Sequence, residues 1–232
     1  MGRTSSLLSR LACLSIGLLG QVAVAAPHPY SVDDLLRLYR VSDPQVTPDE
    51  RLLFFTQSQA RLDGNRWQGT IWVQSLSQTG LPLGPAQQFT FPEHSGKGEG
   101  QDFSPRLSPS ANKLAFVSTR DGGAPQLYVM PIGGGEARRL TSVPSGASDP
   151  MWTPDGRGLV FTSKVYADCP PLPAGDECNR KRSTAQEQSP VQARIADRLF
   201  YRHWDDWFDG KRKHVLRVML PDSPSQPVSA PV

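Results

Sequence analysis

Cys169 and Cys178 bracket the octapeptide Pro170-Pro171-Leu172-Pro173-Ala174-Gly175-Asp176-Glu177. Two thiols so close in sequence can join to each other or share a metal ion. A structural metal would ask for a second Cys or His pair at zinc-site spacing, which the neighbourhood lacks, so the reading favours a disulfide and keeps metal ligation as the alternative. Closing so short a loop would stabilise by about 2 to 3 kcal/mol in the chain-entropy picture. The proline-dense interior reads as non-helical. A second candidate set is His203, Asp205, Asp206, Asp209 and His214, whose imidazoles and carboxylates are ordinary metal ligands. They are interleaved with Tyr201, Trp204, Trp207 and Phe208 around an Asp209-Gly210 turn. That pattern reads instead as aromatic strands supplying packing, with polar groups at their wet ends. The run Arg180-Lys181-Arg182 reads as solvated loop surface rather than as a phosphate-binding patch.

The elements that must position these residues come from an internal repeat. Three times the chain spells Pro, any residue, an apolar residue, Ser or Thr, Pro, then Leu and Phe five and seven residues on. The copies are Pro44 to Pro48 with Leu53 and Phe55, Pro105 to Pro109 with Leu114 and Phe116, and Pro150 to Pro154 with Leu159 and Phe161. The paired prolines read as the approach to a strand, because proline fixes φ and lacks a donor for a central ladder. Gly156 suits a turn position with φ above zero. Lys113 to Ser118 and Leu159 to Ser163 then read as strands. Thr119 to Gly123 makes a hairpin into the strand Gln126 to Met130, Gly133-Gly134-Gly135 closes it, and Glu136 to Thr141 leads out. In the first copy the counterparts are Thr70 to Leu76 and Gln87 to Thr90. The second prolines of the copies lie 61 and 45 residues apart. A unit near that length, made of short strands, is a β-propeller blade.

Composition bounds the rest. Arg3 and Arg10, an apolar stretch from Leu11 to Leu19, and the small residues Ala23-Val24-Ala25-Ala26 are ordered as in a secretory signal peptide. The apolar stretch is shorter than the roughly 20 residues a membrane-spanning helix needs. Removing residues 1–25 leaves 23 basic against 22 acidic side chains. A chain so near neutrality lacks the concentrated basic face of a nucleic-acid binder. Cys13 leaves with the leader, so Cys169 and Cys178 are the mature pair, in a periplasmic or secreted setting.

Several stretches together resemble the N-terminal half of exported bacterial serine peptidases of the prolyl oligopeptidase family, in the dipeptidyl-peptidase and acylaminoacyl-peptidase-like branch. They are Ser31 to Leu36, Val41 to Asp49, the copies at 104–141 and 149–163, Tyr166 to Cys169, Glu177 to Arg182 and Arg198 to Asp205. The blade motif is shared with TolB-like propellers; the cysteine loop followed by Tyr201-Arg202-His203-Trp204 carries the narrower likeness. The resemblance implies a propeller that limits which peptides reach an α/β-hydrolase domain. The hydrolase domain would carry a Ser in a G-x-S-x-G elbow, then Asp and His. This sequence has no such elbow. Gly146-Ala147-Ser148-Asp149-Pro150 lacks the second Gly, so no catalytic, cofactor-binding or metal residue is assigned, and no cofactor is expected.

The expected architecture is all-β, a partial β-propeller of about three four-stranded TolB-like or WD40-like blades, with a short N-terminal helix and an inserted, partly helical loop. Its expected divisions are a signal peptide at 1–25, a helix and lead-in at 26–42, the propeller at 43–220 and a linker or frayed tail at 221–232. Within the propeller, blade 1 covers 43–92, blade 2 103–142, and blade 3 148–220 with an insertion at 164–203. Val191, Ile195, Leu199 and Phe200 give that insertion a weak helical stripe. Closed propellers have 4 to 8 blades, so the chain reads as a fragment whose partners are the absent hydrolase domain and its peptide substrates, with no membrane span once the leader is gone. The competing reading is a TolB-like periplasmic binding propeller.

Overall fold

The computed structural model describes residues 28–92, 100–191, 193, 196, 199–204, 206–221, 223 and 228–232. The expected leader, and Ile195 of the expected stripe, lie outside them. Helix α1 (Val32–Arg37) opens the described chain. It starts where the sequence supplies a reciprocal cap: the Ser31 hydroxyl accepts from the Asp34 amide, and the Asp34 carboxylate accepts from the Ser31 amide. It buries none of its residues, and Gln59 donates to the carbonyl of its last residue, Arg37.

Three antiparallel meanders follow. Sheet 1 is ordered β1 (Arg40–Val46), β2 (Leu52–Arg61), β3 (Arg66–Ser75) and β4 (Gln87–Gln88). Sheet 2 repeats this with β5 (Asp102–Leu107), β6 (Lys113–Ser118), β7 (Gln126–Pro131) and β8 (Arg138–Arg139). Sheet 3 is ordered β13 (Lys211–Met219), β10 (Gly158–Tyr166) and β9 (Ser148–Trp152). Between β10 and β13 come helix α2 (Asp176–Glu187) and a small hairpin of β11 (Arg202–His203) and β12 (Asp206–Trp207). The fold is thus an all-β, partial propeller in which consecutive strands pair, except that β10 pairs with β13 across the insertion.

The repeat's Ser or Thr has a definite job. The Thr47, Ser108 and Thr153 hydroxyls accept from the amides of Leu52, Lys113 and Gly158 at 3.1, 3.1 and 3.0 Å. Thr47 and Thr153 also donate to Asp49 and Asp155, both at 2.5 Å, and Ser108 donates to Asn112 at 3.2 Å. Those hydroxyl bonds hold the exposed Asp49 and Asp155 carboxyls below the usual carboxylate range. Each turn passes through positive φ at its third residue, Glu50, Ala111 and Gly156, as expected for Gly156.

The first proline of each pair corrects the sequence reading. Pro44, Pro105 and Pro150 lie inside β1, β5 and β9 rather than ahead of a strand. Each follows a residue at positive φ, Asp43, Ser104 and Asp149, and each sits at a break in ladder register. A bulge on an edge strand is the one place in a sheet where a missing N–H costs nothing.

The core sits between sheets. On β6, Leu114 and Phe116 face sheet 1 and join Phe54, Ile71, Tyr128 and Met130. Ala115 and Val117 face the other way and join Leu127, Leu159, Phe161, Leu216 and Val218. Period-two alternation on a sheet packed on both sides makes β6 apolar from Leu114 to Val117. The far face of sheet 3 leaves Met151 and Val215 exposed, so the stack is open there.

Candidate interaction site

The inner edge strands β1, β5 and β9 lie side by side, and their bulges aim polar groups across the sheets. Both carboxylate oxygens of Asp43 accept from Arg106 Nη1, at 2.8 and 2.7 Å. The same nitrogen donates to the Pro105 carbonyl, and the Trp152 indole donates to the Arg106 carbonyl at 2.9 Å. Arg106 therefore joins sheet 1 to sheet 2 by its side chain and sheet 2 to sheet 3 by its backbone. In sheet 3 the Thr162 hydroxyl, 2.7 Å from Asp149 Oδ2, and the Lys213 ammonium at 3.3 Å hold the Asp149 carboxyl below its usual range. Sequence reasoning missed these groups. The available signal was the polar residue directly before the first proline of every copy.

A second polar group locks β5 to the β6–β7 hairpin. Asp102 is fully buried and accepts from Arg120 Nη2 at 2.7 Å, while the guanidinium lies over the rings of Phe116 and Tyr128. The Tyr128 hydroxyl donates to Asp121 at 2.5 Å, and Arg139 also reaches Asp121. Burial, and then the Asp121 carboxylate, push the Tyr128 phenol well above its ordinary value. It stays protonated and acts as a fixed donor.

The insertion is anchored where β10 and β13 meet, at the Tyr166 and Lys211 pair. Cys169 and Cys178 are joined by a disulfide with their Cα atoms 5.8 Å apart. The helix begins inside the loop that reads as non-helical: α2 takes in Asp176, Glu177 and Cys178, because Asp176 follows the last of the prolines. It also carries Arg180-Lys181-Arg182, placed in a loop by the sequence reading; Arg180 pairs with Asp176, and Arg182 with Asp168. The Arg182 hydrogen bond lowers the Asp168 pKa.

Asn179 is the anchor that sequence did not reveal. It is 2% exposed, its Oδ1 accepts from the Tyr166 amide and its Nδ2 donates to the Gly175 carbonyl, both at 2.8 Å. Gly175 is required by a close approach: a Cβ there would stand 1.8 Å from the Pro170 carbonyl oxygen. The Tyr166 ring completes the joint, with Arg182 and Lys211 over it and its hydroxyl on Gln186.

The aromatic segment overturns the packing expectation. Phe200 is 92% and Trp204 84% exposed, and Leu199, Tyr201, Trp207 and Phe208 are exposed too. With only two residue pairs between β11 and β12, the hairpin is too short to fold its rings onto a sheet. What order it has is local: Tyr201 lies against Trp207, Arg202 over Trp207 and Arg212 over Phe208. Leu199 and Phe200, from the expected helical stripe, are not helical. Of the imagined metal set, Asp205 lies outside the described residues, and Asp209 is engaged by the Lys211 amide and ammonium. Among the described residues no three His, Cys, Asp or Glu side chains gather as a cation site. No helix among them is long and apolar enough to cross a membrane.

Three stacked, proline-bulged meanders define a propeller portion, and residues 89–168 match the family described as TolB beta propeller domain. Peptidases are among its homologues, each matched over a small share of its own length. The chain is 32% identical over 163 residues to uncharacterized peptidase YuxL of Bacillus subtilis, covering 70% of this chain and 22% of that protein. It is 24% identical over 106 residues to dipeptidyl-peptidase 5 of Porphyromonas endodontalis, covering 46% and 14% respectively. The chain thus spans about a fifth or less of the length of these curated relatives. In fold it is similar to Pyrococcus horikoshii acylaminoacyl peptidase, with a TM-score of 0.53 at 15% identity, over 80% of this chain and 24% of that one.

Proposed function

We propose that this chain is the substrate-gating propeller part of an exported serine peptidase that hydrolyses short peptides, of dipeptidyl- or acylaminoacyl-peptidase type, and that it hydrolyses nothing by itself. The observation that carries this reading is the 32% identity over 163 residues with a protein named a peptidase. The geometry supports it. The edge strands β1, β5 and β9 lie side by side and carry the Asp43–Arg106 pair and Asp149, charged groups of the kind by which a gate would select what passes. The chemistry belongs to an α/β-hydrolase domain outside this sequence. The basic-then-apolar order of residues 1–26 supports a periplasmic or secreted setting.

Purified chain incubated with dipeptidyl and acyl-aminoacyl chromogenic peptides is expected to stay at background and to take no label from a serine-reactive phosphonate. The gene is expected to encode, in frame beyond Val232, a G-x-S-x-G elbow followed by Asp and His. Turnover that survives contaminant controls, or a gene without that elbow, overturns the reading. A protein-binding propeller is the second reading, favoured by the TolB description that residues 89–168 match. It would be supported by specific capture of a defined envelope protein.

A further inference from the structure

The seam between sheets 1 and 2 is apolar along most of its length and polar at one end. Phe54 and Ile71 meet Leu114, Phe116, Tyr128 and Met130 in it. Side chains two apart on a strand share a face, so Thr56, the next residue on the Phe54 face of β2, also points at sheet 2. Ser118 follows Phe116 in the same way and points at sheet 1. Asp102 stands directly opposite Ser118 in the β5–β6 ladder and shares that direction. The Thr56 hydroxyl and the Asp102 carboxylate therefore enter the seam from opposite sides at the same end.

Gly69, opposite Ser58 in the β2–β3 ladder, shows how near they come. A Cβ on it would stand 3.5 Å from the Asp102 carbonyl oxygen and 3.7 Å from both Thr56 Cγ2 and Ser58 Cβ, all ordinary contact distances. The missing methyl thus leaves a methyl-sized gap, which is room for about one water. One wall is an acceptor: the Thr119 amide donates to the Gln101 carbonyl, so by alternation along the ladder the Asp102 carbonyl turns away from β6. Beside the gap, two buried side chains each carry an atom that meets no hydrogen-bond partner among the described residues. Asp102 is fully buried and gives Oδ2 to Arg120, while its Oδ1 stands alone. Thr56 is 5% exposed, and its Oγ1 stands alone too. A buried carboxylate oxygen without a donor is among the costliest arrangements in a folded chain. The occupant that relieves it must bring hydrogens of its own. It is neutral, because a cation would be repelled by the Arg120 guanidinium that already pairs with this carboxylate.

We propose that the gap at Gly69 is the binding site of a single structural water. It donates one hydrogen to Asp102 Oδ1 and the other to the Asp102 carbonyl, and it accepts the Thr56 hydroxyl proton, which gives it the three bonds usual for a buried water. The water ties sheet 1 to the Asp102–Arg120 pair of sheet 2, a second polar link between these sheets beside Asp43 and Arg106. Glycine at position 69 is then required by the water and not by the backbone. The site stands whether the whole protein is a peptidase or a binding propeller.

Water-selective NMR and urea unfolding of the folded chain test it together. In the parent, the Thr56 γ-methyl and the Gly69 α protons are expected to cross-relax with the water resonance with the sign that marks a long-resident water. In Thr56→Val, which removes the hydroxyl that could relay such a signal, the Gly69 α protons are expected to keep theirs, because Asp102 still holds the water. Gly69→Ala fills the gap. Within a strand alanine is otherwise preferred to glycine, so a dry gap would lower the unfolding constant of this variant. Displacing the water strands Asp102 Oδ1 instead, and the unfolding constant is expected to rise about tenfold while the Thr56 methyl loses its contact with water. Three results overturn the proposal: no long-resident water signal in the parent, a signal at Thr56 that persists in Gly69→Ala, or a Gly69→Ala chain more stable than the parent. The last would mean that Thr56 donates to Asp102 directly across a dry gap.

Discussion

Asn179→Ala isolates what holds the insertion to the propeller. The substitution removes both amide hydrogen bonds of a buried side chain and leaves the Tyr166 N–H without its acceptor. A net hydrogen bond contributes about 1 kcal/mol and an orphaned buried donor costs about 1 to 3, so about 2 to 3 kcal/mol is lost from the docking of α2. At about 1.4 kcal/mol per factor of ten, exchange of the α2 amides from Arg180 to Glu187 should quicken about 30- to 150-fold. The sheets should keep their protection, because neither core cluster contains an α2 residue. The Cys169–Cys178 bond restrains the adjacent residue, contributing about 2 to 3 kcal/mol through closure of its short loop. Reduction alone should therefore loosen α2 by a similar factor, and reduction of the variant by more than either change alone. Neighbouring restraints share their effect, so the combined loss should fall short of the sum. The assay is residue-resolved exchange with and without a mild reductant. If α2 in the reduced variant exchanges as slowly as in the oxidised parent, Asn179 and the disulfide are not its anchors and the reasoning fails.

Other outcomes follow from the same geometry. Gly175→Ala places a Cβ 1.8 Å from the Pro170 carbonyl oxygen, so the loop cannot keep its path; α2 should lose exchange protection and proteolysis between Cys169 and Cys178 should become faster. Ala111 sits at φ 49°, an uncomfortable angle for a residue with a Cβ, and Ala111→Gly should raise stability by about 0.5 to 1 kcal/mol in urea unfolding. Phe116→Ala empties a fully buried site between sheets 1 and 2 and should cost about 3 to 5 kcal/mol in the same assay, enough to unfold much of a marginal domain. The folded Asp149 carboxyl titrates below its unfolded value of about 3.9, so its contribution is present above that pH and is lost as pH falls through the lower folded value. Stability of Asp149→Asn should accordingly fall less steeply than that of the parent below about pH 3.9, and identical acid profiles would contradict the Thr162 and Lys213 contacts.

The repeat made the meander legible before any coordinates. Ser or Thr between two prolines, followed by Leu and Phe at odd spacing, encodes a capped turn and a strand with one face inward, and both are local properties. Lys113 to Ser118 was readable as a strand for the same reason, though the apolar run Leu114 to Val117 within it concealed that two different neighbours divide its side chains. Cys169 and Cys178 were readable as a pair. The joint they reinforce was not, because Asn179 is an ordinary polar residue until tertiary contact buries it against the Tyr166 amide. The prolines misled for a related reason: sequence says that Pro44, Pro105 and Pro150 cannot donate, and only the sheet shows an edge bulge where no donor is wanted.

The aromatic hairpin marks the same boundary from the other side. Composition says that Tyr201, Trp204, Trp207 and Phe208 prefer burial, yet burial needs a partner surface, and the chain path carries these rings beyond the end of sheet 3. Residue order by itself marked the central strands of the repeat, the turns that precede them and which cysteines can meet. The tertiary structure decided which faces of those strands are covered, that Arg106 joins three inner edges, and that Val232 returns to pair with Arg217. Those outcomes depend on distances between residues far apart in sequence, and such distances exist only once the sheets have stacked.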